Sequence, residues 1–159
     1  INAALSSRQK GDITEARVAE LVALYGETAL SCYRPISDDE GIDLVVKQKG
    51  NLKTLYIQVK SRWQDTTGAL IVDVKKRSLL NNYAMGLVIC MFDIEAGDIW
   101  DYVWFIPAPD FLRLATPKTD ESVLRFISGK NTGREGKWDD YLIDKRDLAD
   151  AMLAQMKKL

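Results

Sequence analysis

Four residues could do chemistry together: Glu15 on an apolar helical stripe, Asp43 inside a β-branched run, and Gln58 and Lys60 on one face of an alternating segment. Glu15 shares a helical stripe with Gly11, Val18, Val22 and Tyr25, whereas Glu20 is turned about 200° from Val18, toward solvent. A carboxylate facing inward has to be paired or to hold a metal ion, because burying it alone is costly. Taken singly, Glu15 also reads as a helix-edge carboxylate near Asp12 and Arg8. Asp43 interrupts the β-branched run Ile42-Asp43-Leu44-Val45-Val46, on the face opposite Ile42, Leu44 and Val46, where it either serves a site or meets water. In Tyr56-Ile57-Gln58-Val59-Lys60 the alternation sends Ile57 and Val59 to the core, and Tyr56, Gln58 and Lys60 together to the other face. Pairing of this segment with residues 42–47 is expected to set Gln58 and Lys60 beside Asp43.

The chain contains no histidine. That removes histidine general acid/base chemistry, Ser-His-Asp and Cys-His triads, HNH-type nuclease sites and His-ligated zinc. Any hydrolytic chemistry is left to carboxylates, amides, lysines and hard metal ions. The formal net charge of −1 shows no basic footprint in the bulk composition, although clustered carboxylates cancel a basic face in such a sum. The small basic groups Lys47/Lys49/Lys53, Lys60/Arg62 and Lys75/Lys76/Arg77 lie in the first half. Each read alone is a solvated face. Cys32 and Cys90 are isolated in apolar runs and read as buried, inert thiols.

At 159 residues the chain is expected to form a single domain (1–159) with a core needing no disulfide or metal staple. Its apolar fraction of 47% and charged fraction of 28% are those of an ordinary soluble protein. No signal peptide or membrane-spanning apolar run is read, so a cytoplasmic protein with no membrane partner is expected. Ile1 as first residue points to a start inside a longer gene product.

The elements that must position the four residues follow from periodicity and turn signals. A first helix is predicted from about Ser7 to Tyr25, ended by Gly26. Strands follow over 29–34, 42–47 and 53–61, with turns at Ser37–Gly41 and Lys49-Gly50-Asn51. Leu70–Val74 reads as another strand and Lys76–Tyr83 as a short helix. Gly86–Phe92 is apolar throughout, as in a central strand buried on both faces, and forms a hairpin with Ile99–Ile106. Pro107 and Pro109 break the chain before a helical turn at Phe111–Leu114. Val123–Ile127 is a short strand, Gly129–Lys137 a loop, and Asp144 caps a last helix through Lys158 with Leu148, Met152 and Met156 inward. The order predicts an α/β sandwich around a mixed sheet, not a regular βαβ repeat.

In that order, the residues resemble the PD-(D/E)XK superfamily, the restriction-endonuclease-like nucleases. Gly11-Asp12-Ile13-Thr14-Glu15 is similar to the GxxxE helix start of Holliday-junction resolvases and their relatives. Asp39-Glu40-Gly41-Ile42-Asp43 resembles the turn into the family aspartate. Gln58-Val59-Lys60 is a QxK variant, similar to Mrr-like restriction enzymes and to intron-encoded homing endonucleases of this fold. The resemblance spans roughly residues 7–62. It implies a restriction-endonuclease-like sandwich, a mixed central β-sheet flanked by helices, with a catalytic core over about 7–92 and a C-terminal elaboration over about 99–159. It also implies a metal-dependent deoxyribonuclease using Mg (or Mn), with DNA as partner. Asp43, the Gln58 amide oxygen, the Val59 carbonyl and Glu15 would be metal ligands, and Lys60 would orient water or stabilise charge on phosphate. The departure from the family pattern is Gln58, which brings no charge and accepts no proton.

Arg62, Trp63, Lys75, Lys76 and Arg77 are candidate DNA contacts, with a rim aromatic packed on the sheet as the other reading of Trp63. Asp73 is left without a fixed direction. Trp100, Tyr102 and Trp104 share one strand face and read as core or a dimer surface ahead of a base-stacking platform. Cutting both strands of a duplex implies a homodimer or higher homo-oligomer. Two rivals remain open: a weakened or inactive nucleic-acid-binding module on the same fold, and an α/β interaction protein whose four residues form a solvated polar face.

Overall fold

A computed structural model describes residues 4–37, 40–64, 69–129 and 136–159. The first helix, α1 (Ser7–Gly26), opens with a capping box: Ser6 Oγ accepts from Gln9 N–H and Gln9 Oε1 accepts from Ser6 N–H. It stops where Glu27 takes a positive φ of 44°. Its inward stripe is Thr14, Val18, Val22 and Gly26. That stripe is rotated from the predicted one, leaving Glu15 on its flank and Tyr25 exposed. Thr14 takes the inward place because its hydroxyl is satisfied there, donating to Lys10 C=O and accepting from Trp63 Nε1–H.

Four strands follow: β1 (Leu30–Tyr33), β2 (Leu44–Gln48), β3 (Thr54–Gln64) and β4 (Leu70–Lys75). Gly50, at φ +87°, makes the tight turn between β2 and β3. The expected helix at Lys76–Tyr83 is a single 3-10 turn, Lys76–Ser78, after which Leu79 is extended and buried. Ser78 Oγ bonds back to Lys75 C=O within the turn, and Asn82 Oδ1 accepts from Ala84 N–H, an Asx-type turn that competes with a continuing helix.

Next come β5 (Met85–Asp93), β6 (Asp98–Ile99) and β7 (Tyr102–Pro107), then α2 (Ala108–Leu114), β8 (Thr116–Pro117), β9 (Val123–Ser128), β10 (Leu142–Asp144) and α3 (Leu148–Lys157). The predicted strand over 99–106 is thus interrupted at Trp100-Asp101. Asp144 caps a 3-10 turn at Lys145–Asp147, through Arg146 N–H, and not α3 itself. Of the Gly129–Lys137 loop, residues 130–135 lie outside the described residues, as do Asp38 and Asp39 of the turn before Asp43.

The main sheet runs β1-β2-β3-β5-β7-β10, with β6 paired to the end of β5 beyond its stretch with β7. Only β3 and β5 pair in parallel; the other neighbours are antiparallel, so the sheet is mixed. Residues Met85–Phe92 of β5 are buried without alternation because both faces of the sheet are covered. On one face α1 and α3 pack Val18, Val22, Met152 and Met156 onto Leu44, Ile57, Val88 and Val103. On the other, a second sheet of order β4-β9-β8 and helix α2 pack Val72, Phe126 and Phe111 onto Leu87, Ile89 and Trp104. Trp104 meets Phe126 edge-on at 5.2 Å, so much of the aromatic stripe is core, while Tyr102 stays partly exposed.

Candidate active site

Between α1, the start of β2, the middle of β3 and the second sheet lies an open cleft of about 740 Å³. Glu15, Asp43, Gln58, Val59 and Lys60 all line it. The sequence-predicted site residues therefore converge, although they come from three elements.

Asp43 precedes β2 and is not interior to a strand as predicted. Its N–H still donates to Ile57 C=O at 2.8 Å, and its carboxylate Oδ2 accepts from Val59 N–H at 2.7 Å. The two bonds straddle Gln58. A side chain thus takes the place of the next backbone partner at the point where the β2–β3 ladder ends. Because N–H and C=O of one strand residue point to the same side, the Val59 carbonyl faces that open end of the ladder too.

Gln58 is only 5% exposed. Its Nε2 donates to Ser78 Oγ at 3.3 Å, and its Oε1 is buried with no hydrogen-bond donor among the described residues. A buried amide oxygen without a donor is costly in an ordinary core and fits a place where a cation is held. Gly41, at φ +76°, closes over the amide; a Cβ there would come within 2.8 Å of Gln58 Nε2. The glycine before the aspartate is therefore required by space as well as by backbone angle.

Glu15 accepts an ion pair from Arg34 at 3.1 Å. That partner holds a half-inward carboxylate at the helix edge, where Arg8 and Asp12 line the same groove, as the sequence reading placed them. Asp73, whose direction was open in the sequence, turns into the cleft. Arg125 binds it through two bonds of 2.8 and 3.1 Å and Lys118 through one of 3.1 Å. Hydrogen bonding to Arg125 is the largest cause holding its carboxyl at about 2, below the ordinary 3.8. Among the described residues no group of three or more Asp, Glu, Cys or His side chains is close enough to hold a metal by itself.

Of the candidate DNA contacts, Lys75 and Arg77 line the cleft, and Lys76 joins them in an adjoining groove with Ser122. Arg62 is exposed, and its Nε donates to Ile71 C=O at 2.7 Å. Trp63 stacks on Phe92 with ring centroids 3.9 Å apart and lies against Thr14, on the helix-covered side of the sheet. Sequence reasoning did not single out Glu40, Ser78, Lys118 or Arg125. The facing of Asp73 and Arg125 across β4 and β9 is an opposite-charge cross-strand pair, visible only once those strands are aligned.

No curated protein sequence matches the chain. A solved structure, that of the bacterial homing endonuclease I-Ssp6803I, superimposes with a TM-score of 0.62 at 20% sequence identity, covering 97% of this chain and 99% of that one. The two share a fold, a mixed sheet flanked by helices. The sequence model of the PD-(D/E)XK endonuclease family matches residues 5–89, a stretch that contains α1, the β2–β3 hairpin and all four converging residues. The chain belongs to the PD-(D/E)XK endonuclease family.

Proposed function

We propose that the chain is a magnesium-dependent endonuclease that hydrolyses phosphodiester bonds in DNA, with manganese as a competent substitute. The observation that carries this reading is the clamped Asp43 carboxylate beside the donor-less Gln58 amide oxygen, with Lys60 in the same cleft. Asp43, Gln58 Oε1 and the Val59 carbonyl would hold the cation, with Glu15 available directly or through water. A hard divalent ion supplies charge neutralisation at phosphate and a water acidic enough to attack near neutral pH. Lys60 is assigned to the charge that develops on the phosphate oxygens. Lys75, Arg77 and Lys118 put positive charge on the second wall of the cleft, where a nucleic-acid backbone is attracted. Gln58 holds its place as a neutral ligand and takes no proton, which favours one tightly held metal over two.

The test is cleavage of supercoiled and branched DNA with Mg or Mn. The parent chain is expected to cut, and Asp43→Ala and Lys60→Ala to lose at least about 100-fold in rate, as loss of one electrostatic stabiliser does. Variants that cut as well as the parent remove the assignment. A second reading is a weakened nucleic-acid-binding module, favoured by the uncharged Gln58 and by the ion pairs that occupy Glu15 and Asp73. Salt-dependent DNA binding without cleavage would select it. A homodimer, or a larger homo-oligomer, goes with double-strand cleavage, and sizing in the presence of duplex DNA checks it.

A further inference from the structure

We propose that Ser78 is a positioning residue that fixes which end of the Gln58 amide faces the cation; this rests on the metal-dependent reading above. A serine hydroxyl has one proton, and that of Ser78 is committed to Lys75 C=O at 2.7 Å. Toward Gln58, Ser78 Oγ can therefore only accept. The amide answers with Nε2, at 3.3 Å, and its Oε1 is left buried without a donor. A flipped amide would set Oε1 against the Oγ lone pairs and present two protons where a cation needs an oxygen. Gly41 leaves room for the amide as a whole, since a Cβ there would meet it at 2.8 Å, while the choice of end rests on Ser78.

This device answers a difficulty peculiar to an amide ligand. A carboxylate has no wrong way round, whereas a glutamine does. Ser78 lies 20 residues beyond Gln58, in the 3-10 turn after β4. The turn that replaced the expected helix thus carries a role in the site. Once Ser78 is removed the amide loses its preference, and the competent fraction falls with it.

The experiment is a titration of the apo protein with Mn²⁺ without DNA, read by the electron paramagnetic resonance of free Mn²⁺. Ser78→Ala is expected to weaken Mn²⁺ binding about 3- to 10-fold, the effect of leaving a buried amide N–H unpaired in the bound state. Ser78→Thr, which keeps the hydroxyl, is expected to restore it. The decisive arm is the Gln58→Glu background, where no N–H is present to donate to Ser78 Oγ and either orientation offers an oxygen to the cation, so Ser78→Ala should not weaken Mn²⁺ binding there. An equal loss in both backgrounds, or no loss in either, overturns the positioning role while leaving the metal site standing. Absence of Mn²⁺ binding by the parent chain overturns the metal-dependent reading and the positioning role with it.

Discussion

The bond between the Asp43 carboxylate and Val59 N–H makes a sharp prediction about stability, separate from any catalytic role. With the carboxylate in place Val59 is 8% exposed, so its N–H relies on that acceptor. Asp43→Ala deletes the acceptor; Asp43→Asn keeps an oxygen that can accept the same bond. Both variants remove one negative charge from a cleft that also holds Glu15, Glu40 and Asp73, so relief of repulsion is common to the two and cancels. The remaining difference is one satisfied against one orphaned buried N–H, about 1–2 kcal/mol in favour of Asn. For a chain of 159 residues that converts to about 2–8 °C in melting temperature, at roughly 2–4 °C per kcal/mol. Thermal unfolding followed by circular dichroism in EDTA reads the difference directly. Equal melting of the two variants would refute the reasoning, because Asp43 would then not be completing the β3 ladder.

Acid titration tests the second wall of the cleft. Arg125 and Lys118 hold the Asp73 carboxyl at about 2, so the stability it contributes is present above its ordinary 3.8 and is lost as pH falls toward 2. The gap between the parent and Asp73→Asn in urea unfolding should therefore be constant from about pH 5 to 7 and close between about pH 4 and 2; a gap that widens on acidification contradicts the pairing. Thr14→Val removes the acceptor of Trp63 Nε1–H and should cost about 1 kcal/mol in urea unfolding, whereas parental stability would show that the bond contributes nothing. Burial pushes the Cys90 thiol up to about 12, and it is fully enclosed, so an aromatic disulfide reagent should label it only at the rate of unfolding. Labelling of Cys90 as fast as of a free thiol would mean that the sheet opens readily there.

The parts of the fold that were legible in the sequence were those with a strong local pattern. The first helix, the alternating Tyr56–Lys60 segment and the apolar Gly86–Phe92 run of β5 each state their period and their burial in a few residues. The convergence of Glu15, Asp43, Gln58 and Lys60 was legible as well, because one helix and one hairpin, contiguous in sequence, deliver them. What was not legible depended on distant partners. The true stripe of α1 turned on the Thr14–Trp63 bond across 49 residues, and the direction of Asp73 on Arg125, 52 residues away. The Lys76–Tyr83 stretch reads as helical, yet it makes only one 3-10 turn, in which Ser78 bonds locally to Lys75 and distantly to Gln58.

The claim that Asp43, Gln58 and Val59 form a cation site beside Lys60 is tested most directly by a crystal structure with Mn²⁺, located by its anomalous scattering. The expected result is one strong peak in the cleft, at about 2.0–2.2 Å from an Asp43 carboxylate oxygen, Gln58 Oε1 and the Val59 carbonyl, with Lys60 Nζ beside its water shell. A cleft that stays free of Mn²⁺ at saturating concentration, or a peak bound away from Asp43 with Gln58 turned nitrogen-first, would contradict it.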